Sequence, residues 1–334
     1  MRQTPPWQRA LAEAIRDPAE LLTLLDLPRD LLPACRDAGT DFALRVPRGY
    51  AARMRKGDPG DPLLRQVLPV AAEREEPLGY GADPVGDLSS MAVPGLLHKY
   101  AGRVLLVTTG ACAVHCRYCF RRHFPYAEAN PAPDAWRQAL SYIAADSTLA
   151  EVILSGGDPL VLPDARLAEL TARLAAIPHL RRLRLHTRLP VVLPERVDAG
   201  LLDWLGNMPL QAVVVIHANH PRELDAAACR ALAALKEARV TLFNQTVLLK
   251  GVNDDAGVLA ELSEALFDAG VLPYYLHLLD RVRGAAHFEV EEPQARALVA
   301  DLQARLPGYL IPRLVREVAG APAKVPVPPL NPLS

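Results

Sequence analysis

Three of the five cysteines in the chain lie within eight residues of one another. Cys112, Cys116 and Cys119 form a C-x3-C-x2-C arrangement, whereas Cys35 and Cys229 stand alone. An odd count with one tight group favours a metal or cofactor site in a reducing compartment over a disulfide framework. Thiolates bind iron–sulfur clusters, and a four-iron cluster held by three sulfurs keeps one iron open to a further ligand.

The same spacing also fits a zinc site of the Cys3His type, with His115 or His123 as the fourth ligand. Cysteine spacings are shared between metal classes, so the loop alone leaves both sites open. Tyr118, just before the last cysteine, and the pair Gly156-Gly157 further along the chain favour the cluster.

Lysine is scarce, which limits any chemistry that requires a primary amine, such as a Schiff base. The chain has 37 basic residues, and five of them are lysines: Lys56, Lys99, Lys236, Lys250 and Lys324. The last lies in the segment Ala-Gly-Ala-Pro-Ala-Lys-Val-Pro. Composition alone would make it a solvated tail residue.

Six short apolar runs alternate with amphipathic stretches in the second part of the chain. Units of about 30 residues with this β-then-α pattern predict a parallel sheet with right-handed crossovers. Six units suit an α/β fold of the partial (β/α)6 barrel type, although a doubly wound sheet shares the pattern. The runs begin at Val104, Glu151, Arg182, Ala212, Thr241 and Leu272.

The pattern divides the chain into three parts. Residues 1–100 are expected to form an N-terminal helical region, because short amphipathic stretches lie there between prolines. Residues 101–305 carry the six repeats and are expected to form the partial barrel. Residues 306–334 form a short C-terminal segment with a strand-like piece, Lys324 and a proline-rich end.

Ligands of parallel sheets bind beyond the carboxyl ends of the strands, so the residues that follow each run are site candidates. Polar residues are common at strand ends, but here several of them converge on one edge. The candidates are the cysteine group, Ser155-Gly156-Gly157-Asp158, His186 to Arg188, His217, Gln245 within the fifth run and Asp280.

Composition and charge exclude several classes of protein. The formal net charge of −1 gives no support for nucleic acid or an anionic membrane as the main partner. A hydrophobic content of 50% and a charged content of 22% are ordinary for a globular chain. The N-terminus lacks the apolar run of a signal peptide, and no segment approaches the roughly 18 to 20 apolar residues of a membrane span. We therefore expect a cytoplasmic protein.

Two motifs of the chain resemble those of a known superfamily. The C-x3-C-x-aromatic-C loop and the Gly-Gly-acid motif after the second run are similar to the radical S-adenosylmethionine (SAM) enzymes. Further segments resemble the lysine 2,3-aminomutase family over roughly residues 95 to 330, with closest likeness to the branch that modifies elongation factor P (modification enzyme B). These segments are CFRRHFPY, LSGGDPL, TRLPVVLPERV, HANHP, NQTVLLKGVND, PYYLHLLDRVRGAAHF and the final Ala-Lys-Val-Pro.

The resemblance implies three cofactors: a [4Fe-4S] cluster on Cys112, Cys116 and Cys119, SAM, and pyridoxal 5′-phosphate (PLP). It implies that Lys324 is the catalytic residue that forms the internal aldimine with PLP.

Lys99 and Tyr100 match positions near the phosphate, with Lys99 where the family has arginine. Arg188 is a further candidate cation, for which a solvated surface position is the alternative. The residues expected around SAM are Ser155, Gly156, Gly157, Asp158, His217 and Gln245, where His217 and Gln245 could instead be hydrogen-bonded core residues.

The resemblance also implies a substrate and partners. Arg121 matches the family arginine that holds the carboxylate of the substrate. Asp280 and Glu317 match the acids that recognise the ε-ammonium of L-lysine, with Glu317 where longer relatives have aspartate. The implied reaction is conversion of L-lysine to (R)-β-lysine. The implied partners are an electron donor for the cluster and a functional link to elongation factor P and its lysyl ligase.

Two other functions remain open from the sequence. An aminomutase for another amino acid, such as glutamate, would share the cofactors but should carry a neutral or basic residue at Asp280 or Glu317. A non-catalytic zinc-stabilised binding module would use the cysteines for structure and would leave Lys324 in a solvated tail.

Overall fold

A computed structural model of the chain describes residues 4–129 and 135–330. Residues 331–334, at the end of the expected C-terminal segment, lie outside the described residues. The described part contains one ten-stranded sheet with its strands in sequence order. These strands are β1 (Met91–Val93), β2 (Leu96–Tyr100), β3 (Arg103–Thr109), β4 (Glu151–Gly156), β5 (Arg182–Thr187), β6 (Gln211–Ile216), β7 (Thr241–Val247), β8 (Leu272–His277), β9 (Arg313–Arg316) and β10 (Val325–Pro326).

Seven neighbouring strands, β3 to β9, pair in parallel, and the sheet is closed at neither side. The predicted partial barrel is confirmed, and all six apolar runs form strands. Strands β4 and β6 are buried along almost their whole length, as expected for a sheet covered on both faces. Strands β5 and β7 alternate buried with partly exposed residues, so one face of each is directed to an interior cavity.

The sheet extends beyond the six predicted strands on both sides. Strands β1 and β2 form an antiparallel hairpin in residues 91–100, within the region predicted to be helical. Gly95, with φ 77°, makes the tight turn between them. On the other side, β9 adds a seventh parallel strand and β10 pairs antiparallel with it. These four strands have two to five residues each and lack the 30-residue spacing, so the repeat did not reveal them.

Helices cover the sheet and form the N-terminal region. Aspartates at the starts of α10, α11 and α12 accept hydrogen bonds from backbone N–H groups of the first turn, which stabilises the helix start after each crossover loop. The helices are α1 (Pro6–Ala12), α2 (Pro18–Leu24), α3 (Leu32–Gly39), α4 (Arg48–Ala51), α5 (Pro62–Arg65), α6 (Tyr126–Ala129), α7 (Ala135–Ala145), α8 (Asp164–Ala175), α9 (Leu189–Val192), α10 (Ala199–Gly206), α11 (Ala226–Glu237), α12 (Ala256–Asp268) and α13 (Glu292–Arg305).

The N-terminal region shares its core with the sheet. Trp7, Ile15 and Tyr50 are buried in the same apolar cluster as Leu106 and Leu154, which belong to β3 and β4. The N-terminal segments therefore pack directly against the barrel and can contribute side chains to its interior. None of the helices in the described ranges has both the length and the apolarity needed to cross a membrane.

Candidate active site

One cavity of about 470 Å³ opens at the carboxyl ends of the parallel strands. Every site residue predicted from the sequence lines it, including those that come from the N-terminal region and from the C-terminal segment. From the sheet and its loops these are Cys112, Cys116, Cys119, Arg121, Ser155, Gly156, Gly157, Asp158, Arg188, His217, Gln245 and Asp280, and from the two flanking regions they are Lys99, Tyr100, Glu317 and Lys324.

The three cysteines lie on the loop that follows β3 and have no disulfide partners. Burial raises the pKa of Cys112 well above its ordinary value and that of Cys119 to about 11, and neighbouring thiolates add to both shifts. Both are thiols in the bare cavity and must lose protons to bind iron. Three sulfurs beside an otherwise mixed apolar and polar cavity fit a cluster that leaves one iron open for a ligand.

The two histidines that could complete a zinc site lie outside the cavity that the cysteines line. His115 Nδ1 bonds to the carbonyl of Ala43 (2.7 Å) and the ring stacks on Phe42, whereas His123 Nε2 bonds to the carbonyl of Arg283 (3.2 Å). Neither histidine lines the cavity that the cysteines share. No three His, Cys, Asp or Glu side chains within residues 4–129 and 135–330 converge on a single metal position.

A buried ion network holds the cysteine loop against the N-terminal region. Glu73 accepts hydrogen bonds from Arg117 Nε (2.8 Å) and from Arg122 Nη2 (2.7 Å), and the Glu73 and Arg117 side chains are 1% and 0% exposed. Arg117 also donates to the carbonyl of Phe42. Charges this deeply buried are stable in place only when paired, so the network fixes the loop that carries the cysteines.

The Gly156-Gly157 pair allows two loops to pass at close range. A Cβ on Gly157 would lie 2.3 Å from the carbonyl oxygen of Ala111, and Gly156 has φ 112°, which favours glycine. The Gly157 N–H donates to Thr109 (2.7 Å) and the Asp158 N–H donates to Ala111 (2.8 Å). The glycines thus seat the end of β4 on the cysteine loop. The family resemblance places both glycines near SAM, and no local pattern in the sequence indicates their packing against Ala111.

Asp158 joins the ends of β4 and β5. Its carboxylate accepts from the Thr187 hydroxyl (2.7 Å), from the Arg188 N–H (2.7 Å) and from the Leu160 N–H (3.0 Å). Burial nevertheless raises the pKa of Asp158 to about 6. The Thr187 hydroxyl and two backbone N–H groups thus hold this carboxylate between the two strand ends.

Two cations of the cavity are bridged by a buried acid. Asp87 lies 2.6 Å from Lys99 Nζ through one carboxylate oxygen and 2.6 Å from Arg121 Nε through the other. Although burial opposes ionisation, the Arg121 and Lys99 cations lower the pKa of Asp87. Arg121 Nη1 donates to Ser155 Oγ (3.1 Å), and Nη2 makes no hydrogen bond within the described part of the chain. The end of the guanidinium is therefore the edge that can receive an anionic ligand.

The C-terminal segment contributes an acid, Glu317, and an amine, Lys324, which lie next to the Lys99 and Asp87 ion pair. Glu317 accepts from Tyr100 OH (2.6 Å) and from Lys324 Nζ, and Lys99 Nζ lies 3.8 Å away. Burial works against the charged form of Glu317, but the Lys324 ammonium and the hydrogen bonds outweigh it and lower the pKa of the acid. Lys324 is thus a cavity residue and not a solvated tail residue.

Asp280 differs from the other acids of the cavity. Its carboxylate has no hydrogen-bond or ion-pair partner among the residues that the structure describes. Burial, followed by repulsion from Glu317, raises the pKa of Asp280 to about 7. A half-buried acid without a partner carries a desolvation cost that a cationic ligand would relieve.

Arg188 lies on the cysteine side of the cavity and not beside Lys99 and Tyr100. Its guanidinium donates to Cys116 Sγ (2.8 Å), Gln66 Oε1 (2.6 Å) and Glu223 Oε2 (2.8 Å). The residue is 4% exposed, so the alternative of a solvated surface arginine is wrong. With these partners its guanidinium is directed to a cysteine sulfur and away from the expected phosphate position.

Histidines on the strand ends provide neutral polar groups. His217 Nε2 lies 3.0 Å from Gln245 Nε2, and burial lowers the pKa of His217 to about 3, so the ring is neutral. His186 and His277 line the cavity, yet their Nε2 atoms have no partner in the described residues. Burial also keeps the pKa of both rings well below the ordinary value. Such orphaned polar atoms fit a cavity that takes polar ligands.

Sequence reasoning missed several residues of the site. Asp87, Glu73 and Glu223 lie in irregular segments, where no periodicity marks an acid as buried. Arg103 is the first residue of β3 and places its guanidinium 4.7 Å from the centre of the Tyr100 ring. His277 could have been predicted from its position, because it is the last residue of β8 and strand ends are expected to line the site.

Comparison with known proteins agrees with this geometry. Residues 106–262 match the family described as "Radical SAM superfamily". The chain is 51% identical over 322 residues to "L-lysine 2,3-aminomutase" of Escherichia coli (strain K12), across 96% of this chain and 94% of the relative. It is 48% identical to the protein of the same name from Haemophilus influenzae, across 97% and 96%. For that of Clostridium subterminale the identity is 32%, across 97% of this chain and 78% of the relative.

The close contact at Gly157 generates a testable prediction. Gly157→Ala places a methyl group against the Ala111 backbone, so we expect the cysteine loop to shift, with a loss of about 1–3 kcal/mol of stability. Iron bound after anaerobic reconstitution should fall at least about twofold. Gly39→Ala is the control, because a Cβ there meets nothing within 4 Å. Equal iron content and equal thermal midpoints for the two variants would contradict the packing argument.

Proposed function

Because the chain belongs to the lysine 2,3-aminomutase family of the radical SAM superfamily, we propose that it moves the α-amino group of L-lysine to the β-carbon and yields (R)-β-lysine. The enzyme is an isomerase of the aminomutase type, and the cofactors of its family are a [4Fe-4S] cluster, SAM and PLP. The cluster and SAM supply hydrogen-atom abstraction, and PLP carries the migrating amino group.

We assign the cavity residues to these groups as follows. Cys112, Cys116 and Cys119 hold the cluster, and Lys324 holds PLP covalently, with Lys99 and Tyr100 near its phosphate. The backbone of the Gly156-Gly157 turn, together with Ser155, Asp158, His217 and Gln245, surrounds SAM. The support for this assignment is that all these residues line one cavity that also offers the partnerless Nε2 atoms of His186 and His277.

The observation that carries the choice of substrate is the contact between Lys324 and Glu317. A lysine ammonium already donates to Glu317 there, and the partnerless carboxylate of Asp280 lines the same cavity. Lys324 would hold PLP, and Glu317 together with Asp280 would offer two carboxylates to the ε-ammonium of a bound lysine. Arg121 would bind the substrate carboxylate through the end of its guanidinium.

The same charges argue against glutamate as substrate. A side-chain carboxylate placed between Asp280 and Glu317 would add a third negative charge in a buried site. Like charges at close range in a low-dielectric cavity are strongly unfavourable. A non-catalytic zinc module is disfavoured, because the chain belongs to a family of radical SAM enzymes and neither candidate histidine lines the cavity.

We further propose that the β-lysine serves the modification of elongation factor P, through its lysyl ligase, in the cytoplasm. Support comes from the resemblance of the chain's segments to the branch of the family that modifies elongation factor P. The intact mass of elongation factor P from cells with and without the gene tests this link. An identical mass in both strains would contradict it.

Product analysis tests the proposed reaction. Reconstituted enzyme with SAM, PLP and dithionite should convert L-lysine to β-lysine and leave L-glutamate unchanged. Lys324→Ala should lose the pyridoxyl group that borohydride traps on the protein while it keeps about four irons. Cys116→Ala should lose iron and keep the trapped pyridoxyl group. Cleavage of SAM without formation of β-lysine would refute lysine as the substrate.

The partnerless acid predicts a pH dependence. With a pKa of about 7, Asp280 loses its charge as the pH falls from 8 to 6, and its charged fraction falls about tenfold. We expect the ratio of kcat/KM for lysine between wild type and Asp280→Asn to shrink by about this factor over that range. Because both proteins act on the same substrate, titration of the lysine amine cancels in the ratio.

Asp301→Asn, at an exposed position of α13, is the control and should follow the wild-type profile. A ratio between wild type and Asp280→Asn that is constant from pH 6 to pH 8 would show that the charge of Asp280 does not bind the substrate.

A further inference from the structure

We propose that the buried pair of Arg188 and Glu223 sets the reduction potential of the iron–sulfur cluster through the hydrogen bond from Arg188 to the Cys116 sulfur. The inference rests on the cluster that the family carries and on this chain's own contacts, and it goes beyond the proposed reaction. In this role Arg188 and Glu223 are positioning residues that act on the cluster through one of its ligands.

Arg188 is held rigidly against the sulfur. Its backbone N–H donates to Asp158 (2.7 Å), and its Nη1 donates to Cys116 Sγ (2.8 Å). The rings of Tyr50 and Tyr118 flank the guanidinium, with centroids 5.6 and 5.7 Å from its central carbon. Water therefore has little access, and the charge acts on the sulfur with little screening.

Glu223 balances this cation from the opposite side. It is fully buried, and its Oε2 accepts from Arg188 Nη2 (2.8 Å). The other oxygen accepts from Gln66 Nε2 (3.0 Å) and from the Asn219 N–H (3.0 Å). Each carboxylate oxygen of Glu223 thus has a donor, which holds the acid in one position beside Arg188. Glu223 bonds to Arg188 and not to the cysteine, so it acts on the sulfur at longer range.

The two residues should act on the cluster in opposite directions. Reduction adds an electron to irons whose charge is shared with their thiolate ligands. An N–H donor and a positive charge at a thiolate stabilise the reduced state and raise the potential. The carboxylate of Glu223 opposes this effect, because its negative charge offsets part of the field of the arginine.

A redox titration of reconstituted enzyme without lysine, followed by the electron paramagnetic resonance signal of the reduced cluster, tests the proposal. For Arg188→Gln we expect at least a tenfold lower ratio of reduced to oxidised cluster at a fixed potential, which corresponds to a decrease of about 59 mV for one electron. For Glu223→Gln we expect that ratio to rise several-fold. Arg166→Gln, which removes an exposed ion pair on α8, is the control and should not change the ratio.

Opposite shifts support the proposal, because a general loosening of the site would move both variants in the same direction. Unchanged ratios in both variants, or shifts of the same sign, would overturn it. Should Arg188→Gln not retain about four irons, Glu223→Gln decides the question: a raised potential supports the proposal, and an unchanged or lowered one refutes it. Since no lysine is present, a failure to form β-lysine would refute the proposed reaction and leave this result standing.

Discussion

The bridge that Asp87 makes between Lys99 and Arg121 is the interaction on which the cavity depends. Two cations that share a poorly hydrated space repel each other, and a buried acid between them removes that cost. The same bridge orients both cations, because each uses one carboxylate oxygen. The free end of the Arg121 guanidinium then faces the cavity, and Lys99 stays within reach of Glu317. An anion site and a cation site can therefore exist in one small space.

The partners of the buried charges come from three parts of the chain. Asp87, Glu73 and Gln66 belong to the N-terminal region, Arg121 and Arg188 to loops of the sheet, and Glu317 and Lys324 to the C-terminal segment. The parallel sheet brings its own loops to one edge, where Arg188 pairs with Glu223 from within the repeats. Arg117 and Arg121 take their counter-charges from Glu73 and Asp87 in the region before the repeats. This pairing explains why side chains of that region reach the carboxyl ends of the strands.

The sheet and the position of the site were predictable from the sequence, because parallel strands end at one edge and the cysteine, glycine and histidine residues follow those ends. The partners of these residues were not predictable. Asp87 and Glu223 lie in irregular segments, and only the folded chain shows that they face Arg121 and Arg188. The resemblance named Lys324, although composition favoured a solvated tail residue. The close packing of Gly157 on Ala111 depends on two loops whose separation no local pattern reports.

We infer that the cavity is organised for a ligand with a carboxylate at one end and an ammonium at the other. The most direct measurement compares the affinity of the PLP-loaded enzyme for L-lysine and L-norleucine, which lacks the terminal ammonium, by the absorbance change of PLP. A site with a buried, partnerless acid should bind norleucine at least about 100-fold more weakly. Equal affinity for the two amino acids would contradict the account, because Asp280 and Glu317 would then contribute nothing to recognition.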